Sequence, residues 1–514
     1  MNNRLLPIFN NQKNQPVISL IFLFGIKIFL HVYLIDKGFV SVSADEFARG
    51  INAAEWALNP SLNIFSNLNW TWLPFEKLLN GSIMILWPEP YWVPRITVMI
   101  FSCLVLILMY AITYSFFESH HVSFLSCLIT LFLPWYAWLS ATPMLEIYYQ
   151  AFFFGGFWFL IKWYYQERKL YWLWGALCFL IASTIHVEAW LQINCFFLIT
   201  LIWVFSLFRN KDFKRSIELF SVYVISHLFA FLLLILEYVK SGNPFEYFSR
   251  HTEYSKWFYQ GYDVSIIERF LYYPKLINRN SNVLIWVFLI IAFYLLMKRK
   301  FKGRFYILIG LALLSLLLSS IFNIFSVPPT AAPDRYSLFY MLTIAPYLAF
   351  SLYEISKAGI EATQKNKKYI LLTLAVIGLL FLIVIGGIKI SKFPSGLSQD
   401  SINTGYFIKT ILDNDNSKFM VELKYWEFLA VQMTAGHYSD IIFDREYILT
   451  ERDKESVLLG SKEYVDEIFV SQDIKYLVIQ DTAIKEHIDQ LNSFQVLTDI
   501  GNWRILKFIR GSIY

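Results

Sequence analysis

Apolar residues along this chain come in long blocks separated by short polar connections. The block length, near the ~20 residues that cross a bilayer as a helix, predicts a polytopic α-helical membrane protein. Eleven spans are predicted, at about 17–35, 93–117, 122–140, 147–162, 170–186, 190–208, 217–238, 283–297, 304–325, 337–355 and 369–390. The stretch Met1–Pro16, polar with Arg4 and Lys13, superficially resembles the start of a signal peptide. The apolar run behind it is span-length and no Ala-x-Ala site follows, so an uncleaved first helix is expected. After Lys392 the pattern changes. Short strand-like runs (Lys418–Leu423, Asp440–Asp444, Ile474–Gln480, Trp503–Ile509) alternate with helix-like runs (Trp426–Thr434, Thr482–Leu491). Two domains are expected: a membrane domain over 1–392, with a long first outer loop at 36–90, and a small soluble α/β domain over 393–514.

The charges orient the spans. With the N-terminus cytoplasmic, the inner loops hold Lys162/Arg168/Lys169, Arg209/Lys211/Lys214/Arg215, Lys298/Arg299/Lys300/Lys302/Arg304 and Lys357/Lys365/Lys367/Lys368. The other loops are poorer in Lys and Arg for their length. The positive-inside rule therefore predicts a cytoplasmic N-terminus and an extracytoplasmic C-terminal domain. The same orientation puts outside the first loop, the turns at Thr142–Glu146 and His186–Glu188, the loop Lys240–Asn282 and the turn Val327–Arg335. The first loop carries Trp56, Trp70, Trp72, Trp87 and Trp92, which suits a segment along the headgroup layer. Its sequon Asn69-Trp70-Thr71 is a triplet common by chance.

Composition sharpens the class. Of 514 residues 57% are hydrophobic, 19% aromatic and only 16% charged, with mean hydropathy +0.47. An ordinary soluble domain is more polar. The net charge of +5 is too mild to argue for nucleic acid as a partner. Cys103, Cys127, Cys178 and Cys195 lie in apolar runs without metal-ligand spacing, which reads as packing. No Gly-rich phosphate loop, nucleophile elbow or internal repeat is present.

The candidate chemistry lies in the outer loops. Asp45-Glu46 follows the first span, where a carboxylate is well placed to take a proton from a hydroxyl; the plainer reading is a solvated helix end. Arg49, four residues on, can pair with either on one helical face and so lower its pKa. Glu146 opens the fourth span, where a lone carboxylate is expensive. His186 and Glu188 interrupt an apolar run and read either as a surface turn or as ligands. Arg335, before the tenth span, is either a snorkelling interfacial arginine or a clamp for a lipid phosphate, whose oxygens its planar fork can bond in pairs.

Read in order, these segments resemble the GT-C glycosyltransferases, in the branch similar to protein O-mannosyltransferases and lipid A aminoarabinose transferases. The resemblance rests on Asp45-Glu46 after the first span, Trp72-Leu73-Pro74-Phe75, Pro94-Arg95 opening the second span, and Ser140–Glu146 as a second acidic turn. Pro333-Asp334-Arg335-Tyr336 followed by Ala345-Pro346, and the outer C-terminal domain, complete it. It covers the chain to about residue 355. It implies transfer of a sugar from a polyprenyl-phosphate donor to a lipid, protein or polysaccharide acceptor on the outer face, by direct inverting displacement. Asp45 would be the general base with Glu46 beside it. Arg335, with Tyr336, would hold the lipid phosphate, while Glu146, Arg95 and Arg49 would shape the site. Some relatives bind a divalent or zinc ion and others need none; Glu46, Glu146 and His186 are the residues here that such a cation would use. A single proline at Pro74 replaces the family's frequent Pro-Pro run, and no Trp-Trp-Asp-type signature of oligosaccharyltransferases occurs. Two rival classes remain: a transporter or flippase of lipid-linked glycans, which would bury ionisable groups near the bilayer midplane, and a non-enzymatic scaffold or receptor, which would bind through the C-terminal domain and tolerate loss of Asp45.

Overall fold

The computed structural model describes residues 14–61, 72–209, 212–258, 265–280, 284–298, 306–325, 334–394, 399–415, 417–423, 426–436, 438–445 and 455–509. The sequon at 69–71, Trp70, Pro333 and the rest of the 327–333 turn lie outside the described residues.

The helices, in order, are α1 Gln15–Asp36, α2 Asp45–Leu58, α3 Phe75–Met84, α4 Trp92–Phe117, α5 His120–Leu131, α6 Pro134–Leu139, α7 Leu145–Gln166, α8 Lys169–Ser183, α9 Val187–Arg209 and α10 Phe213–Ser241. They continue with α11 Glu246–Phe258, α12 Ile266–Asn280, α13 Leu284–Lys298, α14 Ile307–Phe325, α15 Ser337–Glu361, α16 Lys365–Ser391, α17 Gln399–Leu412, α18 Phe428–Ala435, α19 Lys462–Ser471 and α20 Thr482–Leu491. Every expected span contains helix. Among the described residues, however, six are single helices long and apolar enough to cross a membrane, or seven if the bent pair of α12 with α13 counts as one. The protein is a multi-pass helical membrane protein, and the count of eleven is not reached by length and apolarity. One reason is visible at 122–140. Pro134 lacks the N–H that would continue the helix, so α5 stops and α6 starts with proline in its first turn.

The chain forms two compact units. The first comprises Met1–Leu34, Ile64–Phe75 and Val98–Phe393. Within it α15 is the central helix, buried over nearly its whole length, whereas α1 and α16 leave most of their apolar surface outward, as lipid-facing helices do. Glycines allow close helix contacts: a Cβ at Gly386 would meet the Phe132 carbonyl oxygen at 2.2 Å, and one at Gly156 would touch the Phe179 ring at 3.0 Å.

The second unit comprises Ile35–Asn63, Glu76–Thr97 and Pro394–Tyr514. Its sheet has the order β2-β1-β3-β5-β4, built from β1 Lys418–Val421, β2 Ile441–Phe443, β3 Ile474–Ile479, β4 Phe494–Ile500 and β5 Trp503–Phe508. β2, β1 and β3 run parallel (Phe419 opposite Ile441 and Tyr476), while β5 is antiparallel to β3 and β4. Alternating side chains feed two cores: Phe419, Val478 and Ile505 pack with Ile408 and Val431, and Leu477, Ile479 and Leu506 pack with Phe469 and Ile488. The acidic loop belongs to this unit. Phe47 and Ile51 of α2 pack with Tyr91, Ile402, Ala430 and Met433, and a Cβ at Gly50 would meet the Met433 sulfur at 2.7 Å.

Candidate functional site

The candidate residues fall into two clusters, one in each unit. In the second unit, Asp45 and Glu46 are the first two residues of α2, where the positive end of the helix dipole favours carboxylates. The Ser43 hydroxyl accepts from the Asp45 N–H at 3.3 Å. Glu46 folds back over the entry to the helix: its Oε1 accepts from the Val42 N–H at 3.0 Å, and its Oε2 from Arg95 Nη2 at 3.3 Å. Arg95 also donates to the carbonyls of Val40 (2.7 Å) and Tyr91 (3.3 Å), and its guanidinium stacks 3.8 Å from the centre of the Tyr91 ring. One arginine in the first turn of α4 thus fixes the acidic loop at two points, Val40 and Glu46, while Tyr91 holds the arginine in place. Asp45, half-buried, sits beside this fixed Glu46.

Arg49 acts on Glu46 in the expected direction but does not decide the outcome. It is buried and does lie near Glu46, with Arg95 pulling the same way, yet desolvation outweighs both cations and pushes the Glu46 carboxyl up to about 7. The Arg49 charge also acts on Glu76, a buried residue of the first turn of α3 that accepts from Asn80 and whose carboxyl burial likewise raises. Sequence reasoning missed Glu76. Its one signal was its place directly after the Trp72–Phe75 segment.

In the first unit, Glu146 lies in the first turn of α7 and is 1% exposed. Arg335, in the 3₁₀ turn Asp334–Tyr336 that leads into α15, forms a hydrogen-bonded ion pair with it through Nε. Tyr336 meets the His186 ring edge-on at 5.5 Å, and His186 stacks on Tyr149 at 5.5 Å. The Tyr149 hydroxyl donates to Glu188 Oε2 at 2.9 Å and accepts from Gln192 Nε2 at 3.1 Å. His186 Nδ1 accepts from the Glu188 N–H at 3.1 Å, which leaves the ring hydrogen on Nε2. Tyr149, Gln150 and Gln192 were not singled out in the sequence, because an uncharged polar residue inside an apolar helix carries no pattern. Among the described residues no three His, Cys, Asp or Glu side chains converge as metal ligands do.

No known family profile matches the sequence, and no curated protein sequence matches it. Solved structures do. ArnT from Cupriavidus metallidurans in its apo state superposes with a TM-score of 0.62 at 8% identity, over 95% of this chain and 97% of that one. The same protein bound to undecaprenyl phosphate gives 0.62 at 9% identity, over 96% and 98%. The chain has the GT-C fold. The oligosaccharyltransferase of Archaeoglobus fulgidus, tethered to an acceptor peptide containing an NVT sequon, shares it more distantly, with a TM-score of 0.50 at 10% identity over 94% of this chain and 72% of that one. The likeness covers 95–96% of this chain and so extends well past residue 355, where the resemblance read from motifs stopped.

Proposed function

We propose that the protein is an integral membrane glycosyltransferase that transfers a sugar from a polyprenyl-phosphate donor to an acceptor hydroxyl on the extracytoplasmic face. The observation that carries this reading is the immobilised Asp45-Glu46 pair on a GT-C fold. Glu46 is committed to Val42 and Arg95, so the less buried Asp45 is the base. Asp45 takes the acceptor proton, the acceptor oxygen attacks the anomeric carbon from the face opposite the phosphate, and the carbon–phosphate-oxygen bond breaks with its electron pair leaving on the phosphate. The configuration inverts in one step. A phosphate leaves readily, so no strong general acid is required, unlike the two-carboxylate hydrolysis of glycosides. Arg335, oriented by Glu146, is the group that meets the lipid phosphate, with Tyr336 beside it. The acceptor is a lipid, protein or polysaccharide, and a cytoplasmic N-terminus places the C-terminal domain outside.

The test is transfer from radiolabelled polyprenyl-phosphate sugars by membranes containing wild type or Asp45→Asn. Transfer by wild type and its loss in the equally expressed variant support the reading; equal transfer by both removes Asp45 from catalysis. One observation favours the transporter alternative. Lys27 and His31 are buried within α1, with Lys27 Nζ 3.2 Å from His31 Nε2 and that nitrogen 2.8 Å from the Ser140 hydroxyl. A buried lysine inside a membrane helix is a mark of transport proteins. Donor translocation by wild type in sealed vesicles, without transfer, would favour that alternative.

A further inference from the structure

The unit that holds the Glu146–Arg335 pair also holds two buried glutamines whose amides the fold does not use fully. Gln150 is fully buried on α7, one turn on from Glu146, beside the Tyr149 hydroxyl. Its side chain interacts with the Tyr149 hydroxyl, yet among the described residues neither its amide oxygen nor its amide nitrogen makes a well-formed hydrogen bond. Gln192, 3% exposed on α9 and one turn on from Glu188, donates to Tyr149, and its own oxygen has no hydrogen-bond partner among the described residues. A buried amide without partners destabilises a fold, and an apolar side chain of equal volume would be easier to bury. Two such amides in one cluster point to a polar ligand. They present both N–H donors and C=O acceptors, beside an acceptor carboxylate (Glu188) and the rings of Tyr149, His186 and Tyr336. A sugar matches that set: each hydroxyl both donates and accepts, and its C–H face covers an aromatic ring.

We infer that Gln150 and Gln192 receive the hydroxyl groups of the donor's sugar and set which sugar is accepted. The inference rests on the glycosyltransferase reading for the identity of the ligand. It assigns Gln150 and Gln192 to specificity, whereas Asp45 and Arg335 act on the acceptor proton and the phosphate.

The experiment measures binding to the full-length protein in nanodiscs, by intrinsic fluorescence, of bare decaprenyl phosphate and of decaprenyl-phosphate mannose, glucose and arabinose. Wild type should bind at least one sugar-bearing lipid about tenfold more tightly than the bare lipid, the size of one good hydrogen bond. Gln150→Met and Gln192→Met should each shrink that increment while leaving the bare lipid's affinity unchanged. Gln150→Met should melt no lower than wild type, because the amide serves the ligand and not the fold. Variants that keep the full increment overturn the inference, as does a Gln150→Met that melts several degrees lower, or a wild type that binds no sugar-bearing lipid better than the bare one. Transfer is scored separately. Transfer with an increment insensitive to both glutamines sinks this inference alone, and a glutamine-dependent increment without transfer sinks the transferase reading alone.

Discussion

Glutamate 46 gives the most quantitative prediction. Its carboxyl is pushed from an ordinary 4.5 to about 7 by burial, with Arg95 and Arg49 opposing. For an acid whose pKa is raised on folding, the unfolded chain releases its proton first as pH rises. The stability held by the neutral form is therefore fully present below about pH 4.5 and is lost as pH climbs to about 7. At ~1.4 kcal/mol per unit the loss is about 3 kcal/mol, roughly 6 °C or more for a folding unit of ordinary size. Glu46→Gln keeps the shape and removes the titration. Detergent-solubilised wild type and Glu46→Gln should be melted between pH 4.5 and 8. Glu76, also raised by burial, remains in both proteins and cancels from the difference. The melting temperature of wild type relative to the variant should fall steadily from pH 4.5 to 7 and then level off. Parallel curves would refute the reasoning, since Glu46 would then ionise as easily inside the protein as in water.

Three further outcomes follow from the same geometry. Arg95→Met removes the cation that opposes the burial of Glu46 and frees the Val40 and Tyr91 carbonyls, so it should lower stability by about 2–4 kcal/mol; in a Glu46→Gln background the loss should be smaller, read as a double-mutant cycle on melting temperature. Gly405→Ala would place a Cβ 1.9 Å from Thr434 Oγ1 and 2.4 Å from the Val431 carbonyl oxygen, so it should destabilise the second unit by roughly 1–3 kcal/mol, seen as earlier proteolysis of the C-terminal domain. Asp45→Asn should lower turnover by about 10²–10⁴ while leaving the melting temperature in place, as removal of a general base does.

Much of the fold was legible because a bilayer forces it. Blocks such as 93–117 and 369–390 have no alternative to helix, and the helices α4 and α16 lie there. The strands of the C-terminal domain were legible where apolar residues dominate: Ile474–Ile479 has a single charged residue, Lys475, and Trp503–Phe508 keeps Trp503, Ile505 and Leu506 buried. β4, Phe494–Ile500, was missed because it is an edge strand whose apolar positions are interrupted by Gln495, Thr498 and Asp499 and none of whose residues is fully buried. The packing of the acidic loop against α18 was also invisible. It depends on Gly50 meeting Met433, a contact across nearly four hundred residues that no local pattern records. At the site, charge gave away Glu46, Glu146 and Arg335, whereas the role of burial in setting the Glu46 carboxyl needed the structure.

Four carboxylates of the two candidate clusters, the buried Glu46, Glu76 and Glu146 and the partly buried Glu188, share a placement that decides how they are kept. Glu46, Glu76, Glu146 and Glu188 each lie in the first turn of a helix. A helix N-terminus favours a carboxylate by only about 0.3–1 kcal/mol, rising to ~2 when partly buried, whereas burying an ion costs several kcal/mol. The helix end alone is insufficient, so the partner decides. Glu146 has an arginine, Arg335, in a direct ion pair. Glu188 has a neutral donor, the Tyr149 hydroxyl, with His186 Nδ1 4.0 Å away. Neutralising the two should therefore have unequal effects. Glu146→Gln removes the carboxylate that pairs directly with the Arg335 guanidinium and should lower stability by about 3 kcal/mol or more. Glu188→Gln still accepts from Tyr149 and should lower it by about 1 kcal/mol or less. Melting temperatures of the two variants in one detergent give the comparison. Equal losses would mean that the charge at Glu188 is balanced as tightly as the charge at Glu146, and the ranking of ion pair over helix end would fail for this protein.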